Sequence, residues 1–85
     1  MLIKCQQLLD GPGPSEEIVS VKTADGILEE VVVYTGLVKD GYLQVGPEVG
    51  RKEDKVLVEL PRETASGRWR IWVRESETVM EAVPA

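Results

Sequence analysis

Eighty-five residues carry ten Lys and Arg against fifteen Asp and Glu, a net charge of −5, in a chain long enough for one small hydrophobic core. With no histidine and only one cysteine, it cannot build Ser-His-Asp or Cys-His nucleophile sets, the usual Cys/His zinc centre, or an intramolecular disulfide. No stretch approaches the roughly 20 apolar residues of a membrane-spanning helix, and Met1–Asp10 lacks the charged start and long apolar middle of a secretory leader, so a single reduced, cytoplasmic domain over residues 1–85 is expected.

Leu2 to Leu9 reads as a strand, with Cys5 in step with Ile3 as a small core residue; no base is at hand to activate its thiol. Gly11-Pro12-Gly13-Pro14-Ser15 is a loop. Ile18–Thr23 and Ile27–Tyr34 flank Asp25-Gly26, the pattern of a hairpin with a two-residue turn. That turn sets Lys22 opposite Glu29 and Val19 opposite Val32, and leaves Val21 poorly matched with Glu30. The strand from Leu28 to Val38 is expected to bend at Gly36. Asp40-Gly41 marks a second hairpin, with Val38 opposite Leu43 and Lys39 opposite Tyr42. Gly46–Asp54 reads as a long polar connection. Its Gly46, Gly50, Arg51 and Lys52 miss the spacing of a phosphate-binding loop.

Lys55–Leu60 and Arg68–Arg74 form a third hairpin across a turn of about six residues containing Pro61 and Gly67. Here alternation selects the register. Glu59 opposite Arg70, Val58 opposite Ile71, Leu57 opposite Trp72 and Lys55 opposite Arg74 keep the valines away from the arginines, and a one-residue slip would invert every side chain. Within 75–85, Thr78–Val83 is an edge strand or a frayed end. No internal repeat stands out.

Five to six strands, tight turns and no amphipathic helix imply an all-β antiparallel meander curled into a small barrel or roll of SH3-like or OB-like architecture. Neighbouring carboxylates such as Glu29 and Glu30 point to opposite strand faces and cannot share a site; they serve solubility. No nucleophile–base–orienter set, metal site or cofactor site is recognisable, so the chain is not expected to be an enzyme.

The run Arg68–Arg74 (RWRIWVR) carries the functional reading. Trp69, Ile71 and Val73 are expected in the core. Arg68, Arg70, Trp72 and Arg74 face out beside Leu57 and Lys55 across the hairpin. Such a face serves the hairpin through an Arg70–Glu59 pair and indole packing, or it binds a partner, because Trp and Arg are enriched at interface hot spots. The partner expected is a protein segment, acidic or aromatic. Single-stranded nucleic acid, stacked on the indole beside cations, is the alternative, and the acidic net charge disfavours it. Val31-Val32-Val33-Tyr34 leaves both strand faces apolar. A monomer with that outer face covered from within the chain is favoured, and a dimer through Val31–Tyr34 is the competing arrangement.

Overall fold

A computed structural model of the protein describes residues 1–80. Its strands are β1 (Leu2–Asp10), β2 (Glu16–Lys22), β3 (Leu28–Tyr34), β4 (Val38–Lys39), β5 (Tyr42–Gln44), β6 (Glu48–Lys52), β7 (Lys55–Glu59), β8 (Arg70–Arg74) and β9 (Thr78–Val79), with 3-10 turns at Thr35–Leu37 and Glu75–Glu77. All pairings are antiparallel. One sheet runs β3-β2-β1-β5-β4, with β9 also on β1; the other runs β6-β7-β8. The all-β expectation holds, but neither sheet closes on itself, so the anticipated barrel is not formed by these pairings. Instead both sheets turn alternate residues into one core, led by Ile3, Val19, Val31 and Leu43 from the first and Val56, Val58, Ile71 and Val73 from the second. Residues 81–83 of the expected edge strand lie outside the described residues, which hold only β9 of it.

The second and third hairpins take the expected registers. The first does not: Lys22 faces Leu28, Val21 faces Glu29 and Val19 faces Val31. The turn is five residues, Thr23 to Ile27. Thr23 N–H donates to the Ile27 carbonyl, and Ile27 N–H donates to Thr23 Oγ1. This register puts Val19, Val21, Val31 and Val33 on one buried face, and that burial outweighs the Asp-Gly preference for a tighter turn. The Leu28–Val38 strand is broken by the 3-10 turn at Thr35–Leu37, with Gly36 at its middle. The supposed connection at Gly46–Asp54 contains β6, whose strand character comes from pairing with β7 rather than from its own polar sequence.

The structure also overturns the reading that the chain has no repeat. The 3-10 turns lie forty residues apart (Thr35 to Glu75), each followed by a two-residue strand. In the first half that strand, β4, pairs with β5; in the second, β9 pairs with β1. The β1–β5 pair sits at the centre. Ile3 faces Leu43, and Leu2↔Gln44 balances Lys4↔Tyr42. Cys5 N–H donates to the Gly41 carbonyl and Val45 N–H to the Met1 carbonyl, both at 2.9 Å; the two bonds exchange when Met1 maps to Gly41 and Cys5 to Val45. The outer strands follow suit: β1-β2-β3 and β6-β7-β8 are both antiparallel triplets, each with an irregularity in its first strand, at Gln7/Leu9 and at Glu48/Gly50. The protein is thus a covalent pseudo-dimer about a local two-fold axis between Ile3 and Leu43.

The halves clasp each other through matching turns. Thr23-Ala24-Asp25-Gly26-Ile27 and Thr64-Ala65-Ser66-Gly67-Arg68 make the same hydrogen bonds, with Gly26 and Gly67 at φ +84° and +87°, a conformation glycine adopts without steric cost. Ala24 N–H donates to the Trp72 carbonyl on β8, and Ala65 N–H to the Glu30 carbonyl on β3. Each turn therefore caps part of the other half's free strand edge.

Candidate functional site

The outer face of β6-β7-β8 assembles most of the residues singled out by the sequence. Gly50, Leu57 and Trp72 form one cross-strand row. A Cβ added at Gly50 would stand 3.7 Å from the indole of Trp72 and 3.3 Å from Leu57, so the glycine leaves room for the indole to lie across β7. Lys52, Lys55 and Arg74 form the row on one side; Glu59 and Arg70 lie on the other. Trp72 keeps 37% of its surface exposed.

The arginines on this face are already engaged. Arg70 binds Glu59 through Nε and Nη2, both at 3.1 Å, and Arg74 lies 3.5 Å from Asp54. Such exposed pairs contribute about 0–1 kcal/mol each. Arg51 bridges Glu48 and Glu75, both at 2.8 Å, and these carboxylates raise its pKa. No lysine joins an ion pair among the described residues, which leaves Lys52 and Lys55 as the unneutralised cations beside the indole.

Two sequence-based placements fail here. Arg68 does not join the face. It precedes β8, and its Nε lies 3.5 Å from the buried carboxylate of Glu29, which also accepts the Ser66 hydroxyl at 2.6 Å. Glu29 thus serves the clasp between the halves, not solubility. Trp69 is not in the core; it is 54% exposed. Alternation puts it on the inner side, but it stands where the hairpin leaves the sheet, after the Leu60 N–H to Trp69 carbonyl bond, beyond the last layer that could cover it.

The corresponding face of β1-β2-β3 was not fully legible in the sequence. Leu9, Ile18 and Val32 form its central row, equivalent to Gly50-Leu57-Trp72. Glu16 and Tyr34 pair on one side, Ser20 and Glu30 on the other. Arg62 lies 5.6 Å above the Tyr34 ring and 2.9 Å from Glu16. Val32 and Ile18 are half-buried, while Leu9 and Tyr34 are exposed, so the outer apolar face expected at Val31–Tyr34 is only partly covered from within the chain. A shallow cleft of about 410 Å³ next to it is lined by Leu8, Ser20, Ile27, Leu28 and Glu30. The repeated Thr-Ala-x-Gly segments at 23–26 and 64–67 were the available signal that this face has a counterpart.

Cys5 is half-buried on the inner side of β1, and burial, with a lesser contribution from Glu17, pushes its thiol above the ordinary value. That is the opposite of an activated nucleophile. Among the described residues no group of three or more Cys, Asp or Glu is arranged to hold a metal, and no helix is long and apolar enough to cross a membrane. No protein-family model, curated protein or solved structure matches the chain.

Proposed function

We propose that the protein is a non-enzymatic, cytoplasmic interaction module that docks an acidic, apolar protein segment on the outer face of β6-β7-β8. The observation that carries this reading is the half-exposed Trp72 indole, set across Leu57 and Gly50 beside Lys52 and Lys55, cations that join no ion pair among the described residues. Trp72 is the anchor; Leu57 and Lys55 extend it. Arg70 and Arg74 form the rim, because each must leave a carboxylate to engage another.

Single-stranded nucleic acid binding is the second reading, and the same indole beside lysines favours it. Against it, every arginine lies within ion-pair distance of a carboxylate in a chain of net charge −5. Selection against a random peptide library, with a labelled oligothymidylate measured in parallel, separates the two. Enrichment of acidic peptides that lose binding to Trp72→Ala supports the proposal. Oligonucleotide binding that collapses with salt, as released counterions require, replaces it with the second reading. Absence of both overturns both.

A further inference from the structure

Two clefts open on the outer side of β1-β2-β3, and they share a floor. One, of about 210 Å³, has Lys4, Lys22 and Glu77 around Gln6, Ser20 and Leu28. The other is the cleft of about 410 Å³ beside Leu8 and Ile27, and Gln6, Ser20 and Leu28 line it too. The two form one groove, within the roughly 300–1,000 Å³ of small-molecule sites.

The ends of this groove differ in chemistry. The register of β1 against β2, with Cys5 facing Val21 and Gln6 facing Ser20, sets Lys4 across from Lys22. Like charges opposite each other destabilise an antiparallel pair. Glu77 is the one carboxylate lining that end, and no lysine comes within ion-pair distance of a carboxylate among the described residues. Two ammoniums against one carboxylate leave the end positive. At the other end Leu8, Ile27 and Leu28 are exposed, and the carboxylates of Glu29 and Glu30 line the wall. Between the ends lies Ser20, 6% exposed. Its hydroxyl makes no hydrogen bond among the described residues, and a buried polar group without a partner costs stability. The pseudo-two-fold relation does not repeat this chemistry: Lys4 matches Gln44, and Ser20 matches Glu59, which is held by Arg70.

We propose that this groove binds a small organic anion, with an oxyanion head, carboxylate or phosphate, between Lys4 and Lys22 and an apolar body along Leu28, Ile27 and Leu8. The head offsets the repulsion between the two ammoniums and accepts the hydrogen bond that the Ser20 hydroxyl has left unused. Glu29 and Glu30 repel an anion from the far end and so fix the ligand's direction. The site lies on the other sheet from Trp72 and does not rest on the docking role proposed there.

Amide chemical-shift titration of the isotope-labelled full chain tests this, with hexanoate, hexyl phosphate and inorganic phosphate as probes and hexanol as the uncharged control. Hexanoate or hexyl phosphate should shift the Gln6, Ser20 and Lys22 amides saturably, and hexanol should bind at least about tenfold more weakly. Lys4→Gln, Lys22→Gln and Ser20→Ala should each weaken the preferred probe about fivefold or more, with the wild-type circular dichroism spectrum retained. The lysines are exposed, so their variants test the site even if Ser20→Ala folds poorly. The tighter of the two hexyl probes assigns the head as carboxylate or phosphate. Four outcomes overturn the proposal: no shifts with any anion, hexanol binding as tightly as the anions, inorganic phosphate binding as tightly as hexyl phosphate, or lysine variants that bind like the wild type. Shifts centred on Lys52, Lys55 and Trp72 also overturn it, because they place the anion on the other sheet.

Discussion

The first half of the chain, β1 to β4, and the second, β5 to β9, trace the same path around the Ile3–Leu43 centre with different side chains at matching places. Where the halves agree, the residue serves the backbone or the core: Thr23 and Thr64, Gly26 and Gly67, Val19 and Val58, Val33 and Val73. Where they disagree, the fold has been released from constraint or put to another use. The outer rows diverge in charge and in the size of their apolar residues. One inner position diverges too. Glu17 matches Val56 in the register of β2 against β7, yet Glu17 is 7% exposed with Oε1 lacking any hydrogen-bond partner among the described residues. A buried unpaired polar atom costs stability, so this half carries a strain that its twin avoids.

The largest expected effect breaks the comparison directly. Val56→Glu should cost about 3–5 kcal/mol, since it buries a carboxylate in the fully covered half of the core, and the protein should be largely unfolded by circular dichroism. The reciprocal Glu17→Val should raise stability by about 1–3 kcal/mol in urea titration. Destabilisation by Glu17→Val would show that the carboxylate does something the local symmetry does not reveal.

A smaller effect tests the two clasps against each other. Gly26→Ala and Gly67→Ala each force a side chain into positive φ and should cost about 1 kcal/mol by the same titration. Gly67→Ala should cost slightly more, because its Cβ would stand 3.2 Å from Glu63 Oε1, whereas the Cβ at Gly26 meets nothing within 4 Å. The smallest effect sharpens the centre. The folded state holds the Cys5 thiol above its ordinary value and so binds its proton more tightly than the unfolded chain. Its contribution is complete below the unfolded thiol value of about 8.5 and is lost as pH rises from there through the folded value. Cys5→Val, which copies the matching Val45, should flatten that decline in thermal melts, and wild-type alkylation should be slow under native conditions.

Much of the fold was legible because its signals are local. Alternation in KVLVEL and RWRIWVR set the third hairpin's register, and Asp40-Gly41 set the second. The outward placement of Trp72, Leu57, Lys55, Arg70 and Arg74 followed from the same period of two. The misses share a different cause. β6 is polar and is a strand only because β7 pairs with it. Trp69 obeys the alternation but lies past the layer that would have covered it. Arg68 is drawn to Glu29 of the other half.

The sequence by itself determined which residues alternate, where the chain turns back in two of its three hairpins, and that the domain is all-β, because these follow from steric preferences over a few residues. The tertiary structure alone decided that the strands form two open sheets about a pseudo-two-fold axis, that β5 lies on β1, and that a glutamate occupies a valine's place in the core. Those outcomes depend on contacts between residues about forty apart, whose energies arise only once both halves are folded and packed.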